Sequence, residues 1–324
     1  MSGTTRREVL YWGIAAVGAI GAGAGLALAG GKPVGGSSAP TLPSPPVVPA
    51  AWRETGGWAL DLAHPHALVG GSGDVHVVGG ATTSTLPLVV GGDREVRWFS
   101  LDGTELRRVT IDGAVLAMAT STDGSLWLAR CGAVERLAAD GSVAWRCALP
   151  DGCLPGGLAV AGGLIWVTDC AGRRVLRFAA DGSPADGLSG CDSFIIPSPW
   201  FPLASGPDGL VWVANTGRHR LEAYGSDGRQ VRSWGVQGMD VPRFCGCCNP
   251  AFVHVLPDGR FVTAEKGSPR VKLHAADGTF SELVAGPDAF HPDTVGLAVA
   301  PDGRGGLAVL DPHAGRIRLF RRNA

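Results

Sequence analysis

From Trp52 onward, apolar residues gather in short runs, each bracketed by small polar turns. Asp208-Gly209 leads into Leu210-Val211-Trp212-Val213, then Asn215-Thr216-Gly217, Arg220-Leu221 and Asp227-Gly228. Asp258-Gly259 leads into Phe261-Val262-Thr263, then Glu265-Lys266-Gly267, Arg270-Val271 and Asp277-Gly278. Asp302-Gly303 opens a third copy through Leu307-Ala308-Val309, Asp311-Pro312-His313 and Arg316-Ile317. A fourth runs through Leu164-Ile165-Trp166-Val167, Asp169-Cys170, Arg174-Val175 and Asp181-Gly182. Asp-Gly suits the tight turns that join antiparallel strands. Continuous apolar runs suit strands covered on both faces.

The period is roughly 40 residues, the range of β-propeller blades. One blade cannot bury its own faces, so several must close into a ring. The pattern predicts an all-β, six-bladed β-propeller with blades near 66–112, 113–152, 153–190, 195–238, 246–286 and 290–322. The last copy ends after its third strand. Residues 57–62, Gly-Trp-Ala-Leu-Asp-Leu, precede the first blade and are expected to complete the last one and close the ring.

Composition agrees with many turns: 50 of 324 residues are glycine, about twice the usual share. The formal net charge of −1 gives no global pull on nucleic acid or anionic membrane. The first fifty residues have a different character. Residues 1–29 read as a targeting segment: Thr5-Arg6-Arg7-Glu8-Val9-Leu10 resembles the twin-arginine export motif, a weakly apolar stretch runs from Trp12 to Ala29, and Ala27-Leu28-Ala29 fits a small-x-small cleavage site. Uncleaved, the stretch is long enough to serve as a membrane anchor. Residues 30–51 form a Pro/Gly/Ser-rich linker, and residues 52–324 the globular domain. The expected location is exported, periplasmic or extracytoplasmic, tethered to the membrane only if the segment stays on. The chain is expected to be a monomer.

In a propeller, the turn between the second and third strands of a blade opens on the same face as the link to the next blade. Cys131, Cys170, Lys266 and His313 fall in such turns. Cys153, Cys191, the run Cys245-Gly246-Cys247-Cys248, His291, His64 and His66 fall in links. Cys131–Cys153 and Cys170–Cys191 occupy matching turn-and-link places, 22 and 21 residues apart, and are predicted disulfides; Cys147–Cys153 is the competing pair. Adjacent Cα atoms sit about 3.8 Å apart, closer than a relaxed disulfide wants. Cys247 and Cys248 are therefore expected to find partners elsewhere.

Three uses of the run stay open. A bridge from Cys245 to Cys247, or a bond to Cys147, would pin a loop. Cys245, Cys247 and Cys248 would suit a soft metal such as copper, zinc or an iron–sulfur centre. A thiolate there could instead attack a partner disulfide, with Lys266 lowering its pKa. His64, His66, His291 and His313 cluster around the last blade and form a second set of metal candidates. Glu265 and Lys266 are candidate acid and base, or simply an ion pair. Arg174, Arg220, Arg270 and Arg316 recur at one blade position, which argues for a structural bond to a neighbouring blade. Trp127, Trp166 and Trp212 recur as core, and Trp200 is placed at the mouth.

The elements Asn215-x-Gly217-x-x-Arg220-Leu221 and Asp311-Pro312…Arg316-Ile317 resemble NHL-repeat propellers. Ile196-Pro197-Ser198-Pro199-Trp200-Phe201, Trp212-Val213-Ala214-Asn215-x-Gly217-Arg218-His219-Arg220, Gly246-Cys247-Cys248-Asn249-Pro250 and Glu265-Lys266-Gly267-x-Pro269-Arg270-Val271-Lys272 resemble an exported bacterial group within them. The resemblance implies the propeller fold over about residues 57–322. NHL propellers include protein-binding modules and the peptidylamidoglycolate lyase, whose metal is held by histidines at the centre of the ring; that ligand pattern has no clear match here. Three functions follow as expectations. The first is a propeller binding a small ligand or soft metal on its Cys/His-bearing face, in extracytoplasmic redox or metal handling. The second is a metal-dependent lyase or hydrolase. The third is a protein-binding scaffold with an envelope protein as partner.

Overall fold

The computed structural model describes residues 51–62, 64–65, 67–70, 87–121, 123–190 and 192–323. The targeting segment, the linker up to Ala50, His66 and Cys191 lie outside these. Among the described residues no helix is long and apolar enough to cross a membrane.

Six small antiparallel sheets form the ring. The strand β1 (Trp52–Ala59) comes before the first blade, which holds β2 (Ala67–Gly70), β3 (Leu88–Gly91), β4 (Glu95–Phe99) and β5 (Glu105–Thr110). The second holds β6 (Ala117–Thr120), β7 (Leu126–Arg130), β8 (Ala133–Leu137) and β9 (Val143–Ala148). The third holds β10 (Pro155–Ala161), β11 (Leu164–Asp169) and β12 (Arg174–Ala179). The fourth holds β13 (Leu203–Ser205), β14 (Val211–Asn215), β15 (Arg220–Tyr224) and β16 (Gln230–Trp234). The fifth holds β17 (Phe252–Val255), β18 (Phe261–Glu265), β19 (Arg270–His274) and β20 (Phe280–Ala285). The last holds β21 (Ala298–Pro301), β22 (Leu307–Asp311) and β23 (Arg316–Arg322), completed by β1.

The innermost strands β2, β6, β10, β13, β17 and β21 touch in ring order, and β21 returns to β2. The core lies between blades. Trp212 of β14 meets Phe261 of β18 edge-on, ring centroids 4.7 Å apart. Val262, Leu273, Val299 and Val309 join the fifth blade to the last. Second strands such as β14, β18 and β22 are buried throughout, whereas the outer strands β5, β9 and β16 are largely exposed. This is why second strands read as unbroken apolar runs and outer strands do not. The Asp-Gly turns work as predicted. At Asp277-Gly278 the aspartate Oδ1 accepts from the Thr279 N–H at 2.8 Å. Gly278 has φ +89°, and a Cβ there would run into the Trp234 ring.

The N-terminal strand does close the ring, paired with β23 from Trp52↔Arg322 to Ala59↔Arg316. It starts earlier than expected. Residues 53–57 are polar or glycine and lie exposed on the outer edge, so they carry no apolar signal. Leu60 and Leu62, which looked like strand, are core residues of the link that follows. The third blade has three strands rather than four. After Ala179 the chain bridges back once, Pro184 to Phe178, then crosses so that Ser189 pairs with Arg229 of the next blade.

The ring encloses a narrow central channel of about 80 Å³. Its wall is apolar, with Leu68, Met118, Leu158, Leu203, Val253 and Leu297. Trp200 reaches across it against Gly296, where a Cβ would meet the indole at 2.6 Å. Trp127, Trp166 and Trp212 are core, as expected.

Candidate thiol site

The Cys245–Cys248 run lies in the link between β16 and β17, and Lys266 in the turn between β18 and β19. The two loops meet. Cys248 is 1% exposed, Cys247 is exposed, and their sulfurs are 3.0 Å apart. The Lys266 Nζ donates to the Cys248 sulfur at 2.8 Å, and the Ser198 hydroxyl donates at 3.4 Å from the link into the fourth blade. Three donors therefore converge on one sulfur. Burial alone would push the Cys248 thiol up. The bonds from Lys266, Ser198 and Cys247 outweigh it, and the net shift is downward. The Cys247 thiol is pushed up by donating to Cys248 and by burial. Of the two sulfurs, Cys248 is therefore the one whose deprotonation is favoured, with the Cys247 thiol held protonated beside it. The sulfurs expected to part company touch each other: short Cα spacing blocks a relaxed disulfide, not a hydrogen bond.

A buried clamp holds the run in place. Glu265 accepts from Arg270 Nε at 2.9 Å and Lys272 Nζ at 2.6 Å, and its other oxygen accepts the Cys245 N–H at 2.8 Å. Burial opposes ionisation of Glu265, but Arg270 and Lys272 outweigh it and hold its carboxyl below the ordinary value. Arg270 and Lys272 also donate to the Arg243 carbonyl, at 3.0 and 2.9 Å. Lys272 sits over the Phe244 ring at 4.5 Å. Asn249 then ties run to turn. Its Nδ2 donates to the Cys245 and Lys266 carbonyls at 2.8 and 3.0 Å, and its Oδ1 accepts the Lys266 N–H at 3.0 Å. The Asn249–Pro250 peptide is cis. His219, left-handed at φ +55°, donates from Nε2 to the Gly246 carbonyl at 2.9 Å. All four of the sharper sequence motifs converge here.

The two candidate acid–base residues separate in role. Glu265 is a buried anchor whose ion pairs go to Arg270 and Lys272, while Lys266 faces sulfur. The recurrent arginines bond within their own blade and its incoming link rather than across to a neighbouring blade. Arg174 reaches Asp169 at 3.1 Å, Arg220 reaches Glu222 and Asp192 at 2.9 and 3.0 Å, and Arg316 reaches Glu54 at 3.6 Å.

The metal candidates scatter. Cys245 packs beside Glu265 and Asn249, its thiol pushed up to about 11 by burial and that carboxylate. His291 and His313 stack, ring centroids 4.0 Å apart. His64 turns to Asp93, Nδ1 to Oδ2 at 2.7 Å. Among the described residues no group of three or more His, Cys, Asp or Glu is arranged to hold a metal. Two sulfurs on tetrahedral zinc, with bonds of about 2.3 Å, would lie about 3.8 Å apart; the Cys247–Cys248 pair is tighter.

The remaining cysteines are quieter. Cys153 is buried, interacts electrostatically with Cys131 and Asp169, and is pushed up to about 12, mainly by burial. Cys170 is pushed up as well, by burial, Asp169 and Cys153. Cys147 is buried against the Ala148 and Gly182 carbonyls, which takes it away from the run. Of the expected pairs, Cys131 and Cys153 interact electrostatically, as do Cys153 and Cys170; the second expected pair depends on Cys191, outside the described residues.

Ser198, His219 and Asn249 stood inside quoted motifs without a role. Their contacts cross between loops, and only the closed ring brings them together.

The ring of six blades with a thiol site in its mouth loops places the chain in the class of six-bladed β-propellers. Solved structures of similar fold include streptogramin B lyase, with TM-score 0.58 and 12% identity, covering 84% of this chain and 98% of that one. A catalytically inactive variant of virginiamycin B lyase from Staphylococcus aureus, with quinupristin, gives 0.57 and 13% over 84% and 100%. A protein of unknown function from Bacteroides thetaiotaomicron gives 0.55 and 14% over 83% and 73%. At such identities the likeness is one of fold. No family model matches the chain, and no curated protein matches its sequence.

Proposed function

We propose that this chain is an exported NHL-type propeller that acts in extracytoplasmic redox or metal handling through Cys247 and Cys248. One observation carries the proposal: a buried sulfur that accepts from Lys266 and Ser198 beside a second, exposed thiol. Of the two chemistries the geometry favours redox exchange. The Cys248 thiolate attacks a sulfur of an incoming disulfide, that S–S bond breaks, and the leaving thiolate departs to take a proton from solvent. Cys248 lies beneath Cys247 and half-buried Lys266, so the incoming group must be small or displace them. Export through the twin-arginine segment, and disulfides Cys131–Cys153 and Cys170–Cys191 in that oxidising compartment, belong to the same proposal.

The metal-dependent lyase or hydrolase has less support. The stacked His291–His313 pair and the His64–Asp93 pair face different partners, and the channel wall is apolar. Purification without reductant or chelator, followed by elemental analysis, thiol counting and incubation with glutathione disulfide, tests the proposal. Mixed disulfide at Cys248, or stoichiometric soft metal lost in Cys247→Ser, supports it. Inert Cys247 and Cys248 with no metal would leave a protein-binding scaffold.

A further inference from the structure

The spacing of the two sulfurs selects a ligand. A vicinal pair has a short bite, here 3.0 Å. With bonds of about 2.3 Å, a tetrahedral ion wants sulfurs about 3.8 Å apart, whereas a centre whose bonds open at right angles wants about 3.3 Å. Trivalent arsenic is such a centre, because its lone pair keeps to an s-rich orbital and bonding falls to p-type orbitals. We infer that Cys247 and Cys248 form a chelating site for trivalent arsenicals.

The surroundings fit this ligand in three respects. Cys247 is exposed, so an arriving arsenical meets the outer sulfur first, and the buried Cys248 sulfur lies 3.0 Å from it. Trivalent arsenic needs only two sulfurs when its third position is taken by carbon or oxygen, so the engagement of Cys245 with Glu265 and Asn249 is no obstacle. Protonation also suits. An organoarsenic dihydroxide, one thiolate and one thiol give the dithiolate, one water and one hydroxide. Two As–O bonds break and two As–S bonds form. The Cys247 proton leaves in the water, and no atom changes oxidation state. Lys266, at 2.8 Å from the Cys248 sulfur, favours its deprotonation as the As–S bond to it forms.

The inference rests on the thiol site proposed above but fails separately from it. The full chain is reduced with a phosphine, freed of it, and incubated with one equivalent of phenylarsine oxide; intact mass is then read for wild type, Cys247→Ser, Cys248→Ser and the distant control Cys147→Ser. One phenylarsenic per chain is expected in wild type and Cys147→Ser. It should withstand a monothiol and an equal concentration of zinc, and come off with a dithiol. Cys247→Ser and Cys248→Ser should lose it while keeping the wild-type thermal transition. An adduct that survives in either serine variant, or none in reduced wild type, overturns the inference. The same samples are treated with glutathione disulfide. Adduct without exchange sinks the redox proposal and keeps this one; exchange without adduct does the reverse.

Discussion

The third and fifth blades build the same mouth corner and give it opposite chemistry. In both, the second strand ends in a carboxylate that pairs with an arginine at the start of the third: Asp169 with Arg174, and Glu265 with Arg270. In both, the carboxylate also accepts an N–H from the incoming link, Leu154 in one and Cys245 in the other. The next residue differs. It is Cys170 in the third blade and Lys266 in the fifth. Around Cys170 and Cys153, burial and a carboxylate act together, and the thiols are pushed up. At Cys248, burial is outweighed by a cation and two further donors, and the thiol is pulled down. The corner is scaffold; in the fifth blade the residue after the carboxylate, Lys266, reaches the Cys248 sulfur, while Cys245, beside Glu265 itself, is pushed up as Cys153 and Cys170 are.

The comparison breaks most readily at the clamp. Glu265→Gln leaves Lys272 and Arg270 buried without a counter-charge. The expected loss is about 3–5 kcal/mol, read as a shift in the denaturant midpoint, with the Cys248 thiolate lost as the link loosens. Acid separates the two blades next. His254 and His274 lie in the fifth blade, depressed to about 4 and about 3, chiefly by burial. Both are neutral when folded and take up protons when unfolded. Their contribution is full above the ordinary 6.5 and is lost as pH falls from there toward about 3. Amide exchange in β17 and β19 should therefore rise on acidification before that in β10–β12; simultaneous opening would contradict the assignment.

Asn249→Ala removes two hydrogen bonds between run and turn and one within the run. It should cost about 1–3 kcal/mol and move the Cys248 pKa upward, leaving Cys153 unaffected. The smallest expected change in stability is that of Lys266→Met, under about 1 kcal/mol because the lysine is half-exposed. It has a diagnostic sign. A depressed Cys248 pKa stabilises the fold above the ordinary cysteine value, and that gain is lost as pH falls through the lowered one. Wild type should lead the variant only at the alkaline end, and equal midpoints across that window would remove Lys266 from the account.

Much of this was legible in the chain. Asp-Gly turns and apolar second strands spelled out six blades, because those strands are buried on both faces. The ends were harder. β1 is polar along its exposed edge, and the third blade omits its outer strand where no apolar signal is needed. Loop type alone placed Cys247, Cys248 and Lys266 on one face. It could not reveal that Ser198 crosses from the preceding link, or that Asn249 fastens the run to the turn, because neither contact has a period. The histidines mislead for the same reason. His64, His291 and His313 share a face, yet side-chain direction separates His64–Asp93 from His291–His313.

The claim that Lys266 pulls the Cys248 thiol below its ordinary value is tested most directly by its titration. Thiolate ultraviolet absorbance is followed against pH for wild type and for Lys266→Met, each with the Cys248→Ser trace subtracted. The account predicts a wild-type midpoint below the ordinary cysteine value and a clear upward move in Lys266→Met. A wild-type midpoint at or above the ordinary value, or one that does not move in the variant, would contradict it.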